Sequence, residues 1–401
     1  MKISHLSTAF DIAKKISFQN QKSNTSIIVK LSIIATSISV AAIIMTLSIV
    51  NGFQETISQK VFSFWGHIRI ESVNGAPLVQ NDSVTQTILS DKNIESITPF
   101  ISQSTVISYK QEIEGVLAKG IPSTTSTPFL IKGRSILASK DSIVKEIVLS
   151  DILAKKLNIG VNEIVRLYFL NNGSVQQRKL KVVGLYHTGI EEYDQQFIIV
   201  DLKLLQQLDY NNNNSIEGYS ITLKQAAQLD EIKDNLQQKL PKNWVSITIP
   251  NYYPQLFDWI NIQTINRNVA ITIMLIIAIV NLITCLFILM LERIPMIGTL
   301  TALGASHSMI RKIFIYQASF ICWIGIGIGA ITGIGLSLLQ LKFGWIQLDE
   351  SAYFIRTLPI KIIPIQIISI IMGTAVVSYL SFLLPTLWIK KISPAKTIQF
   401  D

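Results

Sequence analysis

Hydrophobic positions along the chain gather into four uninterrupted runs, separated by segments of mixed polarity. The runs cover residues 31–50, 269–291, 313–341 and 362–389, and none contains Asp, Glu, Lys or Arg. Crossing a bilayer as a helix takes about 20 consecutive apolar residues. Each run therefore predicts a transmembrane helix. The first span is assigned to 27–50, with Lys30 at the mouth of its apolar run, where the lysine stem can reach the membrane interface.

Polar and apolar positions are more evenly mixed over 51–268, which predicts an α/β domain inserted between the first and second spans. Residues 104–109 and 115–121 read as strands, and 147–157 as a strand that becomes helical at Asp151. Residues 164–170 and 179–185 read as a hairpin around Asn171-Asn172-Gly173. Residues 197–200 and 244–249 read as strands, and 229–240 as a helix. From Pro254 onward a helical pattern runs without a break into the second span.

Composition and charge support this layout and give an orientation. The chain is 49% hydrophobic and 15% charged, with a mean hydropathy of +0.41, which is typical of a membrane protein with a soluble part. Residues 51–268 hold equal numbers of basic and acidic residues, which argues against nucleic acid as a partner. Residues 1–30, 292–312 and 390–401 together hold 11 Lys and Arg, whereas 342–361 holds 3. The positive-inside rule then places both termini in the cytoplasm, and 51–268 and 342–361 on the other side.

Catalytic signatures are missing from the sequence: GxxxxGK[ST], GxSxG and HExxH do not occur. Cys285 and Cys322 lie inside apolar runs. The motif HTGIEEYD brings acidic residues close to a histidine, so a metal site is conceivable there, but we interpret it as a solvated or interface loop before a strand. Its ionisable residues are His187, Glu191, Glu192 and Asp194. We predict no metal site, no bound cofactor and no enzymatic activity for this chain.

The loop 292–312 between the second and third spans has the pattern of a short amphipathic helix. Pro295 suits a first helical turn and Gly304 the position after the last one. Met296, Leu300 and Leu303 fall on one face, so we expect an apolar ridge presented to a partner outside the bilayer.

Small and polar residues inside the spans predict helix packing. Gly325, Gly329 and Gly333 recur every four residues in the third span, which allows close helix approach. Asn281, in the second span, is expected to form a hydrogen bond to another helix.

Several of these segments together resemble a known family. The sequence ERIPMIGTLTALGAS at 292–306, the ending SPAK at 393–396 and the order of one span, a large exported domain and three spans are similar to the FtsX/MacB-type ABC transporter permease superfamily. IVNGF at 49–53, GVLAKGI at 115–121 and IVLSDILAKKLNIG at 147–160 resemble its lipoprotein-releasing branch, the LolC/LolE family.

The resemblance implies a subunit of an ATP-driven machine in the bacterial inner membrane. The chain would pair with a second permease, identical or similar, and with a cytoplasmic ATPase dimer that binds ATP and Mg²⁺. A coupling helix would transmit the movement of the ATPase. The residues of this expected coupling site are Glu292, Arg293, Met296, Ile297, Leu300, Leu303 and Gly304.

In the lipoprotein-releasing branch, an acylated lipoprotein enters between the first two spans and passes to a periplasmic carrier. The resemblance implies a cavity lined by Met45, Ile49, Phe53, Trp259, Ile262 and Met274. One permease of that branch hooks the carrier with a hairpin, and the tight turn at 170–179 leaves this role open. A MacB-like efflux permease and an FtsX-like signal transmitter remain alternatives.

The predicted layout is an N-terminal segment (1–26), spans at 27–50, 269–291, 313–341 and 362–389, an exported domain (51–268) and loop (342–361), the coupling loop (292–312) and a tail (390–401).

Overall fold

The computed structural model describes residues 24–137, 139, 142–171, 174–209, 214–225 and 228–386. The predicted N-terminal segment up to residue 23 and the tail 390–401 lie outside these residues. The helices of the described part are α1 Asn24–Trp65, α2 Asp82–Leu89, α3 Asp151–Lys156, α4 Glu191–Gln196, α5 Leu202–Asp209, α6 Leu229–Lys239, α7 Ile249–Tyr252, α8 Pro254–Glu292, α9 Ile294–Ala302, α10 His307–Phe343, α11 Glu350–Tyr353 and α12 Pro364–Thr386.

The strands of the same described part are β1 Ile68–Ser72, β2 Leu78–Val79, β3 Ile94–Tyr109, β4 Glu112–Ile121, β5 Leu130–Gly133, β6 Glu146–Ser150, β7 Ile164–Asn171, β8 Ser174–Tyr186, β9 Phe197–Asp201, β10 Ser215–Ile216, β11 Gly218–Leu223 and β12 Trp244–Thr248.

Among the described residues, four helices are long and apolar enough to cross a membrane: α1, α8, α10 and α12. The first two are much longer than a span, because α1 continues past residue 50 to Trp65 and α8 begins at Pro254, as the unbroken pattern from that residue predicts. The chain divides into two compact units, with boundaries at Gln54–Glu55 in α1 and at Trp259–Ile260 in α8. We call them the membrane unit and the exported unit.

The membrane unit is built around the row of small residues on α10. A Cβ added to Gly329 would lie 2.6 Å from the carbonyl oxygen of Ser37, and one added to Gly333 would lie 3.0 Å from Cα of Ala41. The Ser37 hydroxyl also donates to the carbonyl oxygen of Gly325 (3.0 Å). Such approach of α10 to α1 is possible only where side chains are absent. Asn281 of α8 donates to the hydroxyl oxygen of Ser32 on α1 (3.2 Å), which is the expected interhelical bond.

The exported unit covers Glu55–Trp259 and Leu348–Arg356. Its main sheet has ten strands in the order β12-β1-β11-β3-β4-β9-β6-β8-β5, with β7 paired to β3 and β8. Most pairs are antiparallel, but β4–β9 and β6–β8 are parallel. Alternating apolar residues on these strands bury one core against α5 and α6. A second, aromatic core includes Phe64, Trp65 and Tyr193.

Most predicted elements of this unit are present with longer bounds. The strand pair predicted at 104–109 and 115–121 is β3–β4, and the predicted hairpin is β7–β8. Its turn residues 172–173 lie outside the described residues. One interpretation was wrong: Glu191, Glu192 and Asp194 lie in the helix α4 and not in a loop. The segment is too short for helical periodicity to show in the sequence.

Candidate coupling and cargo sites

The predicted coupling helix is α9, Ile294–Ala302, and its ends follow the predicted chemistry. Pro295 lies in the first turn, where its missing N–H costs nothing. The helix ends at Leu303, and Gly304 adopts the left-handed conformation (φ 88°). The N–H of Ala305 then donates to the carbonyl oxygen of Leu300 (2.9 Å). This turn closes α9, and α10 starts two residues after Ala305.

The exposed face of α9 differs from the predicted ridge. Met296 and Leu300 pack against the apolar core of the membrane unit, and Ile297 is buried. Leu303 is 84% exposed, and Pro295, Thr299 and Ala302 are exposed beside it. The apolar residues that recur along the sequence mark the inner face of α9, because this helix packs on its own bundle. Only Leu303 of the predicted ridge remains available to a partner.

Two further residues of the predicted coupling site flank α9. Glu292 is the last residue of α8 and is exposed, and Arg293 precedes α9 and is half-buried. Glu292 and Leu303 are thus the exposed side chains of the predicted coupling site, in addition to the exposed Pro295, Thr299 and Ala302.

The predicted cargo residues fall into two groups. Met45, Ile49 and Phe53 are half-buried on α1, whereas on α8 Met274 is half-buried and Ile262 is 50% exposed. These five belong to the membrane unit.

Trp259 belongs to the exported unit, because α8 begins before the predicted span. Its ring meets that of Phe354 edge-on at 5.7 Å. Both line a cavity of about 510 Å³ together with Tyr193 and Tyr253. Trp259 is therefore separated from the other five residues by the unit boundary.

A polar node that sequence analysis did not identify joins three membrane helices. The side-chain amide of Asn51 on α1 donates to Gln366 Oε1 on α12 (2.6 Å), and its Oδ1 accepts from Arg267 on α8 (3.2 Å). One turn further along α1, Gln54 donates to the hydroxyl oxygen of Thr264 on α8 (2.5 Å). The signal was present in the Asn51-Gly52 pair of the IVNGF motif.

Glycine at position 52 is explained by the same packing. A Cβ there would lie 2.7 Å from the backbone of Pro359, so only glycine allows this approach. The motif that carries the family resemblance thus packs the C-terminal end of the first span within the membrane unit.

Two buried cations hold the end of α1 in the exported unit. Lys119 donates to the carbonyl oxygen of Phe64, a favourable place for a cation at a helix C-terminus. Its ammonium lies 4.1 Å from the ring centre of Trp65. Arg69 pairs with Glu71 (2.5 Å) and Glu217 (3.2 Å) and lies over the ring of Tyr252. Burial, and to a lesser degree the charge of Arg69, lowers the pKa of Lys119 to about 7.

The HTGIEEYD motif forms an ion-pair cluster. In the described part of the chain, Asp151, His187 and Asp194 place one potential metal-ligand atom each within 4.8 Å of one another. All three are already engaged: His187 Nδ1 lies 2.6 Å from Asp151, and Asp194 accepts from the backbone N–H groups of Thr188 and Gly189 (3.0 and 2.9 Å). These contacts favour a salt-bridge cluster over a metal site.

Two family models match the chain in the order of this architecture. The MacB-like periplasmic core domain matches residues 31–239, and the FtsX-like permease C-terminal domain matches residues 268–394. Together they cover most of α1, most of the exported unit and the last three spans. The domain between the first two spans is therefore a MacB-like periplasmic domain.

Curated relatives extend over almost the whole chain. It is 28% identical over 389 residues to the lipoprotein-releasing system transmembrane protein LolC of Buchnera aphidicola subsp. Schizaphis graminum, covering 93% of this chain and 94% of the relative. It is 23% identical over 425 residues to LolE of Haemophilus influenzae, covering 98% and 100%.

Solved structures are similar to part of the chain. The periplasmic region of MacB from Actinobacillus actinomycetemcomitans is 16% identical and covers 48% of this chain and 92% of that structure, with a TM-score of 0.34. The assignment depends on the family models and the full-length relatives. The chain therefore belongs to the FtsX/MacB-type ABC transporter permease superfamily and is similar to its lipoprotein-releasing LolC/LolE family.

Proposed function

We propose that this permease subunit extracts lipoproteins from the inner membrane and releases them toward a periplasmic carrier and the outer membrane. The observation that carries the proposal is the end-to-end similarity to LolC and LolE, which includes the exported domain and all four spans. Removing acyl chains from a bilayer costs about 0.8 kcal/mol per CH₂, so such a step needs an energy source.

An apolar stripe on α8 supports a role in contact with lipid or acyl chains. Side chains at positions three or four residues apart share one face of this helix and are 50–62% exposed in the chain by itself. These residues are Ile262, Ile265, Val269, Ile273, Ile276 and Val280. The stripe contains Ile262 of the predicted cargo site and continues through the second span. Such an apolar surface is suited to contact with bilayer lipid, with acylated cargo or with a second permease subunit.

Energy would reach the spans through α9. We propose that a cytoplasmic ATPase dimer, which binds ATP and Mg²⁺, docks on the exposed part of the coupling loop around Leu303. Because Met296, Ile297 and Leu300 are packed into the core of the membrane unit, a push on α9 is passed directly to the spans. The second permease subunit completes the complex.

The orientation that this requires is testable by labelling. Single cysteines at Ser308 and at Lys224, in a background without Cys285 and Cys322, report the coupling loop and the exported unit; both positions are exposed. An impermeant thiol reagent should label position 224 in cells with a permeabilised outer membrane, and position 308 only after the inner membrane is broken. The reverse pattern would contradict cytoplasmic placement of α9.

The proposed function is tested by purifying the complex from detergent-solubilised membranes and identifying its components by mass spectrometry. We expect a cytoplasmic ATPase, one or two permeases and acylated lipoproteins. An ATPase with an outer-membrane channel would favour efflux, and one with cell-wall hydrolases would favour signalling. Either result without lipoproteins overturns lipoprotein release and leaves the superfamily unchanged.

A further inference from the structure

A short segment between the third and fourth membrane helices, Leu348–Arg356, belongs to the exported unit and contains α11. Two contacts attach it there. Lys60 Nζ donates to the carbonyl oxygen of Phe354 (2.6 Å), and His187 Nε2 lies 2.8 Å from Glu350 Oε1. In sequence, the segment lies between α10 and α12.

The geometry around His187 identifies the protonation state of its ring. Nδ1 lies 2.6 Å from Asp151 Oδ1 while Nε2 faces Glu350, so the imidazole bridges two carboxylates. The second oxygens of these carboxylates accept from Lys155 (2.8 Å) and Arg356 (2.5 Å). An ionised carboxylate can only accept hydrogen bonds. With both carboxylates ionised, each ring nitrogen donates a hydrogen bond, and the ring of the closed arrangement is an imidazolium.

We propose that protonated His187 is a positioning residue that clasps the segment Leu348–Arg356 to the exported unit, and that its deprotonation releases the segment. We call His187, Asp151 and Glu350 the clasp. A neutral imidazole has a single N–H, so it can serve only one of the two carboxylates. The other is then left facing a ring-nitrogen lone pair, which repels it.

Other charged groups also face the ring from the elements packed around it. Burial raises the pKa of Asp151 and Glu350, but hydrogen bonds from Lys155, His187 and Arg356 bring it below the ordinary value. The remaining ionisable groups of the elements packed around the cluster are Lys60 of α1 and Glu191 and Asp194 of α4. Asp194 is buried and accepts from Thr188 and Gly189. Burial lowers the pKa of Lys60 and raises that of Asp194. Histidine is the side chain whose ordinary pKa lies nearest neutral pH, so the proposal concerns His187.

The direction of the pH effect follows from the surroundings of His187. Burial acts to lower its pKa, but the hydrogen bonds to Glu350 and Asp151 and the charges of Asp151 and Asp194 raise it above 6.5. A raised pKa in the closed state means that the clasp contributes its full stabilisation below pH 6.5. The contribution is lost as the pH rises through the raised value.

A substitution at Gly189 tests the same contact without changing any charge. Its φ is 76°, and a Cβ there would lie 2.7 Å from Glu350 Oε1 and 3.0 Å from the carbonyl oxygen of Phe354. The segment therefore lies against the backbone at this position, and a side chain would displace it. Gly189→Ala should open the clasp without removing any of its charges.

Hydrogen–deuterium exchange of the full-length permease in nanodiscs tests the proposal. Exchange of 348–356 is followed from pH 6 to 9 and corrected for the intrinsic pH dependence, with β9 as the internal reference. The reporting amides include that of Phe354, which donates to the carbonyl oxygen of Glu350 (2.8 Å). We expect protection of the segment to fall by about tenfold as the pH rises, and that of β9 to stay constant.

Variants separate the clasp from general destabilisation. In the His187→Gln and Gly189→Ala variants, the amides of 348–356 should exchange rapidly at every pH. Glu350→Gln keeps an acceptor but removes a charge, so its transition should move to lower pH. The matched control is His67→Gln: burial lowers the pKa of His67 to about 4, so this variant should keep the wild-type transition. The proposal would be overturned if protection of 348–356 in the wild type did not depend on pH, or if His187→Gln kept the wild-type transition.

Discussion

Replacing Leu303 by Asp perturbs the proposed ATPase contact with little effect on the fold. Leu303 is 84% exposed, so the substitution should change the free energy of unfolding by no more than about 0.5 kcal/mol, as for other surface positions. A leucine that becomes buried in a partner contributes about 1.5–3 kcal/mol. Since about 1.4 kcal/mol corresponds to a factor of ten, loss of this contact should weaken ATPase binding by about 10- to 100-fold.

The assay titrates the purified ATPase onto the permease in nanodiscs by biolayer interferometry and then measures ATP hydrolysis by the assembled complex. Leu303→Asp should show weaker binding and reduced hydrolysis, with a Tm equal to that of the wild type. Leu170→Asp is the matched control, since Leu170 is a leucine of similar exposure (72%) in the exported unit. It should bind the ATPase normally.

A third variant checks the orientation of α9. Leu300 packs against the core of the membrane unit, so Leu300→Asp should lower the Tm as well as reduce coupling. Wild-type ATPase affinity in Leu303→Asp would refute the assignment of this residue as a docking contact. Equal Tm values for the two variants would refute the inward face of α9.

Three further predictions concern packing and pH. Gly329→Leu should destabilise the membrane unit by at least about 1–3 kcal/mol because α1 occupies the space, and Gly327→Leu should be tolerated because no atom lies within 4 Å of its added Cβ; comparison of their Tm values in detergent checks this. Asn51→Ala should lower the Tm, since two partly buried hydrogen bonds between helices are lost at about 0.5–1.5 kcal/mol each; a wild-type Tm would contradict the polar node. The pKa of Lys119 falls from 10.5 to about 7 on folding, so its contribution to stability rises with pH between these values, and Lys119→Met should reduce the rise of Tm from pH 7 to 9.

The membrane architecture could be predicted from sequence because its signal is local. Charge-free runs identify spans without knowledge of their neighbours, and the glycines of α10 indicate a close helix contact without naming α1 as the partner. The start of α8 at Pro254 followed in the same way from an unbroken helical pattern.

The contacts that form the sites could not be predicted from the sequence, for a physical reason. Asn51 and Gln366 are separated by 315 positions, and His187 and Glu350 by 163, so no periodicity connects them. The apolar face of α9 was visible, but an apolar face looks the same whether it packs on its own bundle or on a partner. Burial of Met296 and Leu300 decides between these alternatives.

The central claim is that the chain takes part in ATP-driven lipoprotein extraction, and reconstituted release tests it most directly. The purified complex is placed in liposomes with a fluorescent acylated lipoprotein, and appearance of the lipoprotein in the soluble fraction is measured with ATP and a soluble lipoprotein acceptor. We predict release that requires ATP hydrolysis and is lost in Leu303→Asp. Hydrolysis by the wild-type complex with all of the lipoprotein still in the membrane would contradict the proposed function.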